Sequence, residues 1–255
     1  QRFGDAGDFT FYFVGNFDED TLKKFCETYI ASVPGSPTKE TYADAGIRSR
    51  KGQYAKTVYK GVDAKSFVVL TSNGPFEYTP KNRFNLISAC EVMEIRLREQ
   101  LREEKGGVYF VSVQPSFDKL PVQEYSVNVI FSCNPDRVDE LVSTVKKEMT
   151  SMRTTLVPDS LVAKVREIQT KERETSMKTN RFWLQVLSQF DADEEPYANV
   201  YLRDEFIKNL TPQQVLESAK KYLTGANFGE FALKPDPKAE KNTTGEAPKT
   251  GTTGK

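Results

Sequence analysis

The sequence predicts an α+β fold in which an antiparallel sheet carries helices packed on one face. Strand patterns occur in neighbouring pairs, at residues 55–60 and 65–72 and again at 108–114 and 123–132. Helical patterns are concentrated in the second half of the chain, an order typical of α+β proteins. A doubly wound nucleotide-binding sheet would place a glycine-rich loop between a strand and a helix. Gly106-Gly107 instead follows a predicted helix, where glycine marks the helix end.

The strand at 123–132 has the clearest alternation. Its apolar residues are Tyr125, Val127, Val129 and Phe131, and the residues between them are mostly polar. Such a period of two is typical of an antiparallel strand with one face on the core. A short final strand is predicted at 228–233, where aromatic and aliphatic residues recur.

Four helical regions follow from apolar spacing and from their first residues. Thr79-Pro80 begins a long helix, since Thr caps a helix and Pro is tolerated at its first position. Its apolar face consists of Leu86, Cys90, Met93, Leu97 and Leu101. Further helices are predicted after Asn134-Pro135, with interruptions over 158–209, and over 212–223 behind a capping box at Thr211.

The two ends of the chain differ from this central part. Residues 9–14 are aromatic and β-branched and predict a buried strand, and Asp18 can cap the helix that follows. Residues 36–50 have almost no apolar periodicity and predict a linker. From Pro235 onward Lys, Thr, Gly, Pro and Glu dominate, so residues 235–255 are predicted to be a disordered tail.

Composition excludes several classes of function. Lys plus Arg and Asp plus Glu number 36 each, and a nucleic-acid or acidic-membrane partner normally requires a basic excess. Cys26, Cys90 and Cys133 are isolated, which favours small buried apolar residues over a disulfide or metal site. The chain contains no histidine, so it cannot by itself complete the usual catalytic zinc sites or hydrolytic triads. No apolar stretch approaches the length of a membrane span, and we expect the chain to be a piece of a longer protein.

Three segments together resemble the M16, pitrilysin-type, metallopeptidases. The first is Phe-Thr-Phe-Tyr-Phe-Val-Gly-Asn-Phe-Asp at 9–18, with Ser-Val-Pro-Gly at 32–35. The second, Ile-Arg-Leu-Arg-Glu-Gln-Leu-Arg-Glu-Glu-Lys-Gly-Gly-Val-Tyr at 95–109, is similar to the family's passage from a long helix into a strand. The third is Phe-Ser-Cys-Asn-Pro-Asp-Arg-Val-Asp-Glu-Leu at 131–141. The chain looks closest to large bacterial zinc proteases of this family.

The resemblance implies a zinc-free C-terminal half built from M16 (LuxS-like metallohydrolase) repeat domains. Residues 1–35 would be the terminal strand and helix of a preceding repeat domain, 36–50 a linker and 51–234 the inactive C-terminal domain. No metal or cofactor is expected in this chain. Its partners would be the zinc-bearing N-terminal half of the same polypeptide and a peptide substrate, in the periplasm or cell envelope of a bacterium. The chain alone is expected to be inactive, although the parent would be a zinc metalloendopeptidase.

The family's C-terminal half contributes an Arg and a Tyr, seven residues apart, that reach the substrate around the scissile bond. These positions match Arg102 and Tyr109, which would serve as substrate-binding donors and not as catalytic bases. Without the resemblance, Arg102 suits the dipole of a helix end, and Tyr109 is an ordinary half-buried strand residue.

Two other readings of the chain remain open. M16-like subunits of respiratory complexes act as scaffolds, so a protein-interaction module without a peptidase role is the main alternative. An unrelated α+β binding domain would require all three motif matches to be accidental. Trp183 and the acidic residues Asp191, Asp193, Glu194 and Glu195 are interpreted as helix packing and a polar inter-helix loop.

Overall fold

The computed structural model describes residues 4–37, 41–104 and 108–237, and only the backbone of residues 102–104. The chain divides into two compact units. Unit 1 comprises Gln1–Arg48, Lys119–Pro121 and Arg166–Asn209, and unit 2 comprises Ser49–Asp118, Val122–Val165 and Leu210–Lys255. This division follows local compactness and assigns Arg166–Asn209 to unit 1, whereas the predicted C-terminal domain runs over 51–234. The predicted boundaries stay a prediction, and most of the predicted tail lies outside the described residues.

Unit 2 contains a five-stranded sheet in the order β1-β5-β2-β4-β3. Its strands are β1 Gln53–Tyr59, β2 Ser66–Pro75, β3 Val108–Asp118, β4 Glu124–Cys133 and β5 Phe228–Lys234. The pairs β2–β5, β2–β4 and β3–β4 are antiparallel, as the sequence predicts. The α+β fold class is therefore confirmed.

One pairing differs from the antiparallel prediction, because β1 and β5 are parallel. The sequence places β1 and β2 next to each other in the chain and predicts a hairpin, but β5 lies between them in the sheet. Since β5 is antiparallel to β2 and β1 runs opposite to β2, β5 and β1 must run the same way. The strand β5 thus converts the edge of an antiparallel sheet into a mixed one.

The α-helices, in chain order, are α1 Glu19–Phe25, α2 Pro80–Arg98, α3 Val138–Thr154, α4 Asp159–Ser176, α5 Asn180–Ala192, α6 Leu202–Lys208 and α7 Pro212–Tyr222. Their predicted caps are present. Asp18 accepts a hydrogen bond from the Thr21 amide, Thr79 accepts one from the Asn82 amide, and Thr211 forms the capping box with Gln214.

The core of unit 2 lies between the helices and one face of the sheet. Helix α2 packs against β3 and α7, and α3 packs against α7. Every second residue of β4 is buried, beginning at Tyr125 and ending at Cys133, while the residues between them are partly exposed. The predicted apolar face of α2 is buried throughout, at Leu86, Cys90, Met93, Leu97 and Leu101. The helices therefore cover one face of the sheet and leave the other accessible in this unit.

In unit 1, residues 9–14 have no strand partner among the described residues, so the buried strand predicted there is not formed in this structure. A strand exists only where a second strand satisfies its backbone groups, and the described chain supplies none to this segment. Phe9, Phe11 and Phe13 are exposed, and the Tyr12 hydroxyl donates to an Asp191 carboxylate oxygen at 2.5 Å. The helix α1 that follows this segment also contains no buried residue.

We expect Phe131→Ala to lower the free energy of unfolding by about 3–5 kcal/mol, because it removes a fully buried ring and leaves a cavity. The matched control is Ile130→Ala, one residue earlier in β4 on the accessible face, which should cost clearly less. Urea unfolding followed by far-ultraviolet circular dichroism measures both. Equal losses would contradict a core confined to one face of the sheet.

Candidate functional site

The two residues implicated by the sequence lie on either side of the passage from α2 into β3. The α-helical geometry of α2 ends at Arg98 and continues as a π-helical turn over Glu99–Glu104, which contains Arg102. Such turns often occur at functional positions. The side chain of Arg102 lies outside the described residues, as does the predicted helix stop at Gly106-Gly107. Tyr109 is the second residue of β3 and its side chain is 55% exposed.

Tyr109 is the extra residue of a β-bulge. Val108 pairs with Cys133 and Phe110 pairs with Ser132, so Tyr109 has no opposite residue on β4. A bulge breaks the alternation of a strand and re-aims a side chain. Here two consecutive residues, Tyr109 and Phe110, are both exposed, whereas regular alternation would bury one of them.

The surroundings of Tyr109 are cationic and aromatic. The Lys65 ammonium lies 4.6 Å from the centroid of the Tyr109 ring, a cation–π distance. Across the small Ser132, the Phe67 and Phe110 rings lie 6.1 Å apart. No hydrogen bond from the Tyr109 hydroxyl is found within the described part of the chain, and its exposure leaves that O–H available as a donor to a bound molecule.

The exposed apolar side chains beside Tyr109 form one row across the uncovered face of the sheet. Register places Val58 opposite Leu233, Leu233 opposite Phe67, and both Phe67 and Phe110 opposite Ser132. We call Val58, Leu233, Phe67 and Phe110 the open-face row, and each is 42–44% exposed. Sequence reasoning missed this row and Lys65. One signal was available in the sequence. Both β2 and β5 carry large apolar residues at odd and at even positions, whereas a strand with one face in solvent has them on the buried face only.

A buried polar network joins the end of α2 to α3. Glu148 of α3 is only 2% exposed, and its Oε2 accepts a hydrogen bond from Gln100 Nε2 at 2.7 Å. Arg96 Nε lies 2.9 Å from Oε1 as an ion pair, and Arg96 Nη2 donates to Ser151 Oγ at 3.1 Å. Burial raises the pKa of the Glu148 carboxyl, and Arg96 and Gln100 oppose that rise.

The cysteines are poor candidates for nucleophiles. Cys90 and Cys133 are buried as predicted, and burial raises the pKa of both thiols, that of Cys133 to about 11. A thiol with so high a pKa remains protonated near neutral pH and cannot attack as a thiolate. Cys26 is only partly buried.

Trp183 and the acidic residues have structural roles in unit 1. The Trp183 indole N–H donates to the Met177 carbonyl at 2.8 Å. Asp191 is bound by Tyr12, and the buried Asp193 accepts from Gln189 Nε2 at 2.9 Å. Among the described residues, neither set forms a group that could hold a metal ion.

The residues of this chain do not fit a catalytic zinc ion. The sequence has no histidine, and the described residues contain no group of three or more His, Cys, Asp or Glu side chains that could hold a metal. Among the helices of the described residues, none combines the length and the apolarity that a membrane crossing requires.

Comparison with known proteins identifies a protein family and a curated relative. The family model described as "Peptidase M16 inactive domain" matches residues 1–169. "Probable zinc protease PqqL" from Haemophilus influenzae is 27% identical over 137 residues, which is 54% of this chain and 14% of that protein.

Two solved structures have the same fold at low identity. The periplasmic protease PqqL from Escherichia coli superposes with a TM-score of 0.71 and 18% identity, over 87% of this chain and 25% of that one. A protease from Helicobacter pylori superposes with a TM-score of 0.74 and 12% identity, over 87% of this chain and 54% of that one. The chain thus spans only a minor part of the PqqL proteins that it matches.

We expect this chain on its own neither to hold zinc stoichiometrically nor to hydrolyse peptides, because it lacks histidine and any clustered ligand set in its described part. Elemental analysis of purified protein, together with a peptide-cleavage assay, checks both. One equivalent of tightly bound zinc would contradict the expectation.

Proposed function

Because this chain belongs to the M16 peptidase family, through its match to the family's inactive domain, we propose that it is the non-catalytic C-terminal part of a larger zinc-dependent endopeptidase. In this role it forms part of the wall of a chamber that holds peptide substrate. The observation that carries the proposal is the exposed Tyr109 at the β-bulge, next to Lys65 and the open-face row.

The chemistry proposed for this surface is hydrogen-bond donation. Attack on a peptide carbonyl develops negative charge on the carbonyl oxygen, and donors placed in advance stabilise that charge. The Tyr109 phenol is a neutral donor on a strand anchored in the core at Val108 and Val111. The Arg102 guanidinium is the proposed second donor, able to offer two N–H groups to a carbonyl or carboxylate. Neither group needs to lose a proton.

The zinc ion would be supplied by the remainder of the polypeptide, since the ligands are lacking here. The limited share of the PqqL proteins that this chain spans supports a longer parent. The proposed partners are therefore the N-terminal, zinc-bearing half of the same polypeptide and a peptide. The periplasm is the proposed compartment, by analogy with the E. coli protease, which is periplasmic.

We also propose that residues 1–35 belong to a preceding repeat domain. The alternating Phe9, Phe11 and Phe13 are exposed, as are Phe25 and Tyr29. An alternating aromatic segment with no strand partner in the described chain is the expected state of a strand separated from its own sheet. The rest of that sheet would then be contributed by chain outside this sequence.

A scaffold or protein-interaction module is the second candidate. It is favoured by the open-face row, because contiguous exposed apolar residues often mark contact with another protein. In that case the row would be covered permanently, and Tyr109 would have no part in turnover.

We expect Tyr109→Phe in the full-length protein to reduce kcat by about 10²–10³-fold, since it removes one donor used mainly in the transition state and keeps the ring. The matched control is Tyr59→Phe on β1, which makes the same chemical change at a residue that is 57% exposed. Steady-state peptide hydrolysis and thermal unfolding should show a turnover defect in the first variant alone, with both proteins equally stable. Unchanged turnover with Tyr109→Phe would favour the scaffold.

For Arg102→Ala we expect a higher KM as well as a lower kcat, because the change removes a charge and a bidentate donor that also contact the bound substrate. Steady-state kinetics with the same peptide separates the two parameters. A normal KM and kcat with a lowered melting temperature would instead indicate that Arg102 only stabilises the end of the helix.

A further inference from the structure

The end of α2 is held by a carboxylate from a neighbouring helix. Glu148 lies in the middle of α3, is almost completely buried, and contacts two residues one turn apart, Arg96 and Gln100. Arg96 is the third-last residue of α2, and Gln100 belongs to the π-helical turn Glu99–Glu104. The carboxylate therefore bridges the point at which the α-helix becomes a π-helix.

Burying a carboxylate between two helices carries a large desolvation cost. A buried charge is strongly disfavoured unless it is paired, and a well-packed apolar residue of similar size is often as stable or more so. Oε1 of Glu148 has an ion pair with Arg96 but no aligned hydrogen bond within the described residues, so pairing is incomplete. Stability alone gives no reason for a carboxylate here. What it supplies, and a leucine would not, is a directional bond to Gln100.

That bond fixes the rotation of the turn in which Arg102 lies. Leu101 is fully buried and holds one side of the turn to the core. Gln100, the preceding residue, is tied to Glu148 at 2.7 Å. Two consecutive residues with fixed directions leave little freedom to the backbone of the third, in a turn type that is rare in proteins.

We propose that Glu148 is a positioning residue, which holds the π-helical turn Glu99–Glu104 so that Arg102 is presented to the peptide substrate. The inference rests on the proposed function and goes beyond it by assigning a role to a residue that cannot touch the substrate. Gln100 is the intermediary, and Arg96 is the ion-pair partner of the buried carboxylate.

The test is a double-mutant cycle in the full-length protein, with kcat/KM for peptide hydrolysis as the readout. Glu148→Ala should lower kcat/KM by about 10-fold to 10²-fold, the size of effect expected when a binding group is slightly misplaced. In an Arg102→Ala background the same change should alter kcat/KM by less than about twofold, because residues that act through one another are not additive. Glu148→Gln retains an acceptor for Gln100 and should keep most of the activity.

Two further variants keep the test decisive. Gln100→Ala removes the hydrogen-bond donor to Glu148, at a residue that is not fully buried. It should lower kcat/KM as much as Glu148→Ala does, without changing the packing of the core. Val145→Ala, one turn earlier on α3 and fully buried, is the matched control for a general loss of packing. It should lower the melting temperature and leave kcat/KM unchanged.

The outcomes separate the inference from the proposed function. If Arg102→Ala lowers kcat/KM but Glu148→Ala and Gln100→Ala cost the same factor in both backgrounds, or nothing, the positioning role is overturned and the proposed function stands. If Arg102→Ala has no effect on hydrolysis, the proposed function of Arg102 fails, and the positioning role fails with it.

Discussion

The burial of one face of α2 is the constraint on which the rest of unit 2 depends. The apolar side chains of that face recur every three or four residues and are shielded from solvent, down to Leu101 in the π-helical turn. Deletion of such a side chain typically costs about 2–5 kcal/mol, so the face cannot rotate away from the core. The rotation of α2 about its axis is thereby set, and with it the place where the chain leaves the helix for β3. Both proposed donor residues lie at that exit.

The passage from α2 to β3 contains a π-helical turn at the end of the helix and a β-bulge at the start of the strand. Neighbouring residues hold each of these two irregular segments in place. On the helical side the π-turn is tied to α3 by Glu148 and Gln100. On the strand side the bulge at Tyr109 is followed at once by Val111, which is buried and paired with Phe131. Regular structure resumes within two residues of the bulge. A side chain that is exposed on a firmly held backbone is what a substrate-binding donor requires, since pre-placement avoids reorganisation during reaction.

The two faces of the sheet have different chemistry. One is closed by α2, α3 and α7, whereas the other carries the open-face row and Lys65. An accessible sheet face in an isolated antiparallel unit is usually polar. The proposed peptide would lie on this mixture of rings, aliphatic side chains and a cation, and these neighbours of Tyr109 would exclude water from a bound carbonyl.

Most of the fold was predictable from the sequence because local signals and burial agree. The alternation of β4, the apolar face of α2 and the caps at Thr79 and Thr211 each predict an element that is present. The parallel β1–β5 pair was not predictable from the sequence. Strand order depends on which distant segment pairs between β1 and β2, and local sequence patterns carry no information about that choice. The strand at 9–14 was predicted from composition, but a strand also needs a partner, and composition carries no information about that.

The candidate site was only partly predictable. The resemblance to the M16 family indicated Arg102 and Tyr109, but the bulge at Tyr109 depends on register with β4 and leaves no mark in the sequence of β3 alone. The role of Glu148 could not be predicted from the sequence for a similar reason. Its position in α3 is that of an ordinary helical carboxylate, and only the packing of α3 beside α2 makes it buried and paired.

The most direct test of the account is a photo-crosslinking experiment on the full-length protein. A photoreactive phenylalanine analogue replaces Tyr109 in one preparation and Tyr59, equally exposed in the same sheet, in another. The account predicts that a labelled peptide crosslinks at position 109, that unlabelled peptide competes with it, and that position 59 captures little or none. Equal capture at the two positions, or none at 109 while the peptide is bound, would contradict the claim that this surface faces the substrate.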